Sequence, residues 1–439
     1  MDIFLFNCRN KNLKKHYKMQ NDLTESVQAS IRPGEMKDLM YPGETNICKQ
    51  AYPSVVNTRF VQTFTNLGQG SSQFVISPNG GISDIILQMA TPAAGTYTNV
   101  ALTDGWGYSL INRISVRYGS SAQYFWSGPQ VFLQNVLDAE NNPKADQMLK
   151  LGGTTAVGAA CANAAAFVYL KLPHNSCRAS GKPLPFPSDL LVQPIVVTVE
   201  LFALNSIMIN QAAGNPLANS PTALASASLQ AKQEMLTDTS DTLARRVDMN
   251  SHALTFPLPY FCQQETQVAI GGAGSQSVNL TGFRAGEVKQ IVLWFTPTTV
   301  NGVGNAQTNG SGNFNPLYWT AMADVQLTYN GEVFNRFDSA SYQLWNAVED
   351  QKLSTVANYA LYTSGAATAA TQATLQYVKL DFSQVSVPAE RESVLVHGKP
   401  ILNAVVQLSF TAPAAGVLHA MYLYNASLLC SRGSAEYIF

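Results

Sequence analysis

Apolar residues in this chain alternate with polar or small ones over short stretches, or gather in brief β-branched runs, and seldom recur at helical spacing. That patterning predicts strands at residues 55–64, 84–90, 114–118, 167–172 and 195–202 in the first half. In the second half it predicts them at 288–295, 325–329, 374–380, 404–410 and 418–424. Between the strands lie stretches of Gly, Asn, Ser, Thr, Ala and Pro, as at 152–166 and 301–315. Ordered connections of such length usually have a task.

Helical spacing occurs at one place in each half. Ser127, Gly128, Pro129 and Gln130 supply an N-cap, an early proline and a capping-box glutamine ahead of Leu133, Val136 and Leu137. Asp338 holds the matching cap position ahead of Leu344, Trp345 and Val348. Residues 229–236 allow two readings, a helix from their Ala, Gln, Lys and Glu content or a strand by comparison with 418–424. We take the strand, because the fold needs one there.

The two halves repeat one another. Residues 114–139 fall on 325–350 without a gap at a spacing of 211 (329 minus 118), with Tyr118 on Tyr329, Leu133 on Leu344 and Asn135 on Asn346. Two further matches keep the same order. Gly81, Ile86, Leu87, Thr91 and Pro92 fall on Gly286, Ile291, Val292, Thr296 and Pro297 at a spacing of 205. Tyr169, Lys171 and Leu172 fall on Tyr377, Lys379 and Leu380 at 208. A repeat of this length is a whole domain and far exceeds a solenoid unit. The expected division is an N-terminal arm at 1–50, a first domain with its joint at 51–248, and a second domain with a tail at 249–439. With about eight short strands per half, the fold class is all-β: two tandem eight-stranded jelly-roll barrels, each with a short helix in a long loop.

Composition narrows the function. Only 13% of residues are charged, the formal net charge is −1 and 46% are hydrophobic, so the chain is neither disordered nor a general polyanion binder. Low charge implies that much of the surface meets protein. No apolar run is long enough to span a membrane, residues 190–199 being broken by Gln193 and Pro194. Residues 1–8 lack the length and the leading basic residue of a signal peptide, so synthesis in a cytosol is expected. The arm carries a basic patch of Arg9, Lys11, Lys14, Lys15 and Lys18, which suits a solvated tail or contact with lipid headgroups or nucleic acid. Met19 is an alternative start that would remove it.

Candidate chemistry is sparse. The six cysteines, Cys8, Cys48, Cys161, Cys177, Cys262 and Cys430, have neither CxxC spacing nor a partner between the repeats. The histidines, His16, His174, His252, His397 and His419, stand singly, and His419 on a strand reads as an interface or core residue. Gly271 to Gly274 and Gly310-Ser311-Gly312 lack the Lys-Ser/Thr of a phosphate loop and read as loop glycines. Asp138, Glu140, Glu349 and Asp350 sit at helix ends in both repeats, where a scaffold role is simpler than acid/base catalysis. Trp106, Tyr108, Tyr124, Phe125, Trp126, Tyr318 and Trp319 could form a sugar platform, but beside strands they read as core or subunit contact.

The segment Ala101-Leu102-Thr103-Asp104, then Leu110-Ile111-Asn112-Arg113-Ile114, the strand to Tyr118 and a Ser-Gly-led helix resembles part of the tectivirus-like double jelly-roll major capsid proteins. Arm, barrel with helix, a joint at Gly214-Asn215-Pro216-Leu217, second barrel with helix and short tail follow in the order of that family. The resemblance implies a viral structural protein of the virion shell that forms homotrimeric, pseudo-hexagonal capsomers of an icosahedral double-stranded DNA virus. It implies as partners neighbouring capsomers, vertex (penton) and minor capsid proteins, and an internal lipid membrane touched by the basic arm. Neither a cofactor nor sequence-specific nucleic-acid binding is expected. The alternative is a secreted two-domain carbohydrate-binding or adhesin protein, which calls for an export signal. A tandem jelly-roll enzyme calls for His or carboxylate clusters in one half or the cleft. The sequence displays neither, so a non-enzymatic role is expected.

Overall fold

The computed structural model describes residues 55–78, 80–92, 100–102, 106–139, 165–170, 186–188, 191–210, 221–236, 254–262, 266–283, 287–297, 319, 322–337, 360–361, 373–374, 377–382, 399–400, 405–431 and 434–438. The first half runs through β1 (Val55–Thr63), β2 (Gly70–Ile76), β3 (Gly81–Ala90), β4 (Val100–Leu102), β5 (Ile111–Tyr118), β6 (Gln123–Trp126), β7 (Ala165–Leu170), β8 (Phe186–Pro187), β9 (Ile195–Leu201), β10 (Met208–Asn210) and β11 (Ser226–Leu236). Helix α1 (Trp106–Ser109) precedes β5 and α2 (Gly128–Ala139) follows β6. The second half runs through β12 (Leu254–Cys262), β13 (Thr266–Ile270), β14 (Gly274–Leu280), β15 (Glu287–Pro297), β16 (Ala323–Tyr329), β17 (Glu332–Phe337), β18 (Ala360–Leu361), β19 (Ala373–Thr374), β20 (Tyr377–Asp381), β21 (Lys399–Pro400), β22 (Val406–Ala412), β23 (Gly416–Ser431) and β24 (Ser434–Ile438).

Each half folds as two facing antiparallel sheets of nested strand order. In the first, β1-β11-β3-β7 faces β2-β9-β5-β6. In the second, β12-β23-β15-β20 faces β14-β22-β16-β17, with β13, β21 and β24 added at the margins of the former. The opening strand pairs with a late one, β1 with β11 and β12 with β23, and in the facing sheets β2 pairs with β9 and β14 with β22, which is the jelly-roll arrangement. Alternation supplies the cores. Phe74 and Ile76 of β2, Ile85, Leu87 and Met89 of β3, Ile114 and Val116 of β5, and Val197 and Val199 of β9 are buried in the first half. Residues 229–236 are strand, as taken: Ala227, Leu229, Ala231 and Gln233 point inward in turn, so pairing and burial override the helical propensity of the segment.

The spacing of 211 holds through three adjacent strands of one sheet, β9, β5 and β6 falling on β22, β16 and β17. Ile114 pairs with Trp126 and Val325 with Phe337, while Val116 lies opposite Val197 and Leu327 opposite Leu408. Even the turn repeats, with Gly119 and Asn330 both at positive φ, 61° and 49°, where glycine and asparagine cost least. The other two spacings need correction. In β3 a bulge leaves Ser83 unopposed between Ile82 and Asp84, and in β15 the same bulge leaves Lys289 unopposed between Val288 and Gln290. The structural spacing is therefore 206 (289 minus 83), and the sequence match at 205 slips by one. A slip of one turns every side chain to the opposite face, placing the outward Ile86 on the inward Ile291. Likewise Val168 opposite Leu87 corresponds to Val378 opposite Leu293, a spacing of 210 (378 minus 168) rather than 208.

Helix α2 is capped as its sequence indicates. The Ser127 backbone N–H donates to Gln130 Oε1 at 2.8 Å and the Gln130 N–H to Ser127 Oγ at 3.4 Å, the reciprocal pair of a capping box. Gly128 is required by close approach, since a Cβ there would run into the Tyr108 carbonyl oxygen and lie 2.8 Å from that of Ile111. The equivalent helix expected after Asp338, and the arm at 1–50, lie outside the described residues.

Two expected outcomes follow from the packing. Gly128→Ala forces α2 off the chain beneath it and lowers stability by about 1–3 kcal/mol in denaturant melts, whereas Gly331→Ser, in open space, tests only the turn. Tyr422 is buried in the second core and its hydroxyl donates to the Thr281 carbonyl at 3.0 Å. Burial pushes its pKa up, opposed by the Thr266 hydroxyl and reinforced by Tyr424. The folded chain thus keeps a proton that the unfolded chain sheds, so the contribution is complete below the unfolded value and is lost as pH rises toward the folded one. Stability is expected to fall above about pH 10, and Tyr422→Phe to lose about 1 kcal/mol at neutral pH while showing a shallower alkaline fall in melts across that range.

Candidate assembly interface

The two barrels meet through unlike surfaces. The sheet containing β15 and β23 is apolar on both faces: Ile291, Leu293, Phe295, Ala420 and Tyr422 pack into the second barrel's own core. Val292, Trp294, Met421 and Leu423, from alternate positions, join the cluster of the first barrel instead. What they meet is the helical side of the first barrel. Phe132 of α2 packs edge-on against Trp319 at 5.9 Å between ring centroids, Trp319 against Trp294 at 5.7 Å, and Tyr108 of α1 against Phe132 at 5.3 Å. His419 lies flat on Trp294, centroids 5.0 Å apart and planes within 4°. The seam is a chain of rings from α1 to β23.

The energetics are those of area and contact rather than charge. The Trp294 indole N–H finds no acceptor, so the burial of that side chain rests on ring and aliphatic contact alone. The C-terminal strand adds a second tie: β24 pairs with β23 and its Ala435 is buried within the first barrel's cluster. Relative placement of the barrels therefore depends on residues from α1, α2, β15, β23 and β24.

Duplicated positions elsewhere have diverged. On the outward side of the β5 sheet, Arg113 pairs with Glu200 at 2.6 Å and lies over the Phe125 ring at 5.1 Å. At the matching positions of the second barrel Thr411 Oγ1 donates to Asp324 Oδ2 at 3.4 Å. One barrel presents an ion pair and an aromatic ring, the other a neutral hydroxyl and a carboxylate.

Sequence-singled residues fall into three groups. Trp106, Tyr108, Trp126 and Trp319 are buried, which removes them from any sugar platform, while Phe125 is 44% exposed and held by Arg113. His419 is part of the seam. Arg9, Lys11, Lys14, Lys15, Lys18, Glu140, Tyr318, Glu349, Asp350 and the remaining histidines lie outside the described residues. Among the described residues no group of three or more His, Cys, Asp and Glu could hold a metal ion, and no helix is long and apolar enough to cross a membrane. Sequence reasoning passed over Phe132 and Trp294. A signal existed: β3 carries Gln88 on its outward side whereas 291–295 are all apolar, and a strand apolar on both faces must be covered on both.

Truncation of Trp294 to Ala should cost about 3–5 kcal/mol, more than any exposed β-strand substitution, because it opens a cavity at the centre of the seam. Limited proteolysis and denaturant melts are expected to show the two halves separating before either core unfolds; a single unchanged transition would contradict the seam's role.

No family model and no curated protein matches the chain. Solved structures do. A chain of the PBCV-1 virus capsid is similar at 13% identity and a TM-score of 0.58, covering 88% of this chain and 97% of that one. PBCV-1 VP54, fitted into a reconstruction of the virophage Sputnik, is similar at 14% identity and a TM-score of 0.56, again covering 88% and 97%. Both are double jelly-roll viral major capsid proteins. The chain has the double jelly-roll fold of these capsid proteins.

Proposed function

We propose that this chain is a major capsid protein, a structural subunit that trimerises into pseudo-hexagonal capsomers of an icosahedral double-stranded DNA virus. The observation that carries the reading is the seam: two copies of one barrel, fixed edge to edge by unlike faces within one chain. Such a unit presents two similar but unequal blocks, and three of them close a six-block ring that tiles a facet. Low charge suits extensive contact with copies of itself and with vertex and minor capsid proteins. Of the aromatic residues that a sugar-binding protein would expose, Trp106, Tyr108, Trp126 and Trp319 are buried instead. No reaction is assigned.

In this reading the arm at 1–50 lies beneath the shell and its basic patch, Arg9, Lys11, Lys14, Lys15 and Lys18, meets an internal membrane. The domain boundary at 248/249 falls in the chain between β11 and β12, and the chain is made in the host cytoplasm before assembly.

Light scattering on the purified chain is expected to give three times the mass of one chain, with hexagonal outlines in negative stain. A stable monomer at every concentration would contradict the proposal. Removal of residues 1–18 should leave trimers intact and abolish binding to anionic vesicles; retained vesicle binding would show that the basic patch has another role.

A further inference from the structure

The duplicated barrels differ at one sheet edge. Phe74 of β2 lies opposite Val197 and Val278 of β14 opposite Leu408, so β2 and β14 are the same strand of the two barrels, at a spacing of 204 (278 minus 74). Each is the outer strand of its sheet, and Gly70 and Gly274 open them at positive φ, 140° and 115°. In the first barrel this edge is closed. The chain before β2 folds back on it, the Asn66 N–H donating to Ser72 Oγ at 3.0 Å and Ser72 Oγ to the Asn66 carbonyl at 3.3 Å, and the inward Ser72, Phe74 and Ile76 are buried. In the second barrel the edge is open. The inward Gln276 and Val278 are only half-buried, the outward Ser275, Ser277 and Asn279 are exposed, and a Cβ at Gly271, Gly272 or Gly274 would meet nothing within 4 Å.

Resting on the capsid reading, we infer that β14 adds to the β14 of another copy of this chain, antiparallel across a two-fold axis, and that this contact joins one trimer to the next. An outer strand presents a row of unpaired N–H and C=O groups, which proteins ordinarily guard with charge, proline or cover. The other outer strands of the barrels are guarded: β1 carries Arg59, β12 Pro257, β17 Arg336, β20 Lys379 and β24 Glu436, while β7 lies against α1 and α2. The neutral β6 and β13 are short, at four and five residues. β14 runs for seven residues, Gly274–Leu280, with neither charge nor proline, and among the described residues only β22 pairs with it. That neutrality is what self-pairing demands, because a two-fold contact sets a strand against its own copy and brings any charge near its like. The side chains are self-complementary too. With Val278 opposite its copy, the half-buried valines touch and Ser277 faces Asn279; Gln407 Nε2 already donates to Ser277 Oγ at 2.9 Å, which leaves the hydroxyl proton for the neighbouring Asn279. Two paired strands of this length bury far less than the roughly 1,000 Å² of a lasting interface, so the contact takes hold between trimers, each offering several such edges at once, and not between single chains.

Full-length chains carrying Ser277→Lys with Asn279→Lys, and others carrying Ser277→Asp with Asn279→Asp, test the pairing, with Gln73→Lys at the matching position of the closed β2 edge as control. Thermal melts read folding, and light scattering across concentration separates trimers from larger assemblies. All variants are expected to melt as the wild type does and to form trimers. Either doubly charged chain should need about tenfold or more the wild-type concentration to associate further, because like charges then face one another across the two-fold. Mixing lysine trimers with aspartate trimers should restore association, and the control should associate normally. Wild-type-like association by both charged variants, or wild-type trimers that never associate, would overturn the β14 contact while leaving the trimer standing. A loss that mixing does not repair would show that something other than a second β14 meets this edge, which overturns the pairing as well. A wild-type chain that stays monomeric would remove the capsid reading itself, and the inference with it.

Discussion

Everything above the level of a single barrel depends on one packing contact, the burial of the outward face of the β15/β23 sheet under α1 and α2. A jelly roll closes its own core and needs no neighbour to be stable, so two of them on one chain would ordinarily move independently. Here Trp294, Val292, Met421 and Leu423 make that independence costly, because separation returns a row of large apolar side chains to water. The duplicated chain behaves as one block with two unequal sides.

Helix α2 is the device that makes this contact specific. Its start is fixed by the Ser127–Gln130 capping box and by a glycine that lets the chain pass close over Tyr108 and Ile111. With the first turn held, Phe132 is aimed outward at Trp319 while Leu133 is buried among the first barrel's own cluster. Asn135 adds a buried hydrogen bond to the Tyr108 hydroxyl at 3.0 Å, tying α2 to α1 and setting both helices against the sheet. Local capping chemistry is thereby converted into the relative orientation of two domains.

Much of this was legible in the sequence. The duplication, the strands, the capped helix and the strand character of 229–236 all follow from alternation, from cap residues and from self-comparison. The register of β3 against β15 was not, because identities at a spacing of 205 compete with the structural 206; Ile86 and Ile291 are both apolar, and only pairing shows that one faces out and the other in. The seam was half visible. Five consecutive apolar residues at 291–295 announce that both faces of β15 are covered, yet nothing in a linear pattern names Phe132 and Trp319 as the cover, since they come from a helix in the other half and from a loop.

The divergence of matched surfaces gives the duplication its meaning. Outward positions became an ion pair beside an aromatic ring in one barrel and a hydroxyl–carboxylate pair in the other. The sheet face that is sealed in the second barrel is open and polar in the first. The most direct measurement is an electron-microscopic reconstruction of the particles that the purified chain forms, at a resolution that separates barrels. Six barrels alternating between the two kinds around a three-fold axis, the two barrels of each chain joined by the aromatic seam, are expected. A ring in which like barrels contact one another, or in which the two barrels of one chain are not adjacent, would contradict it.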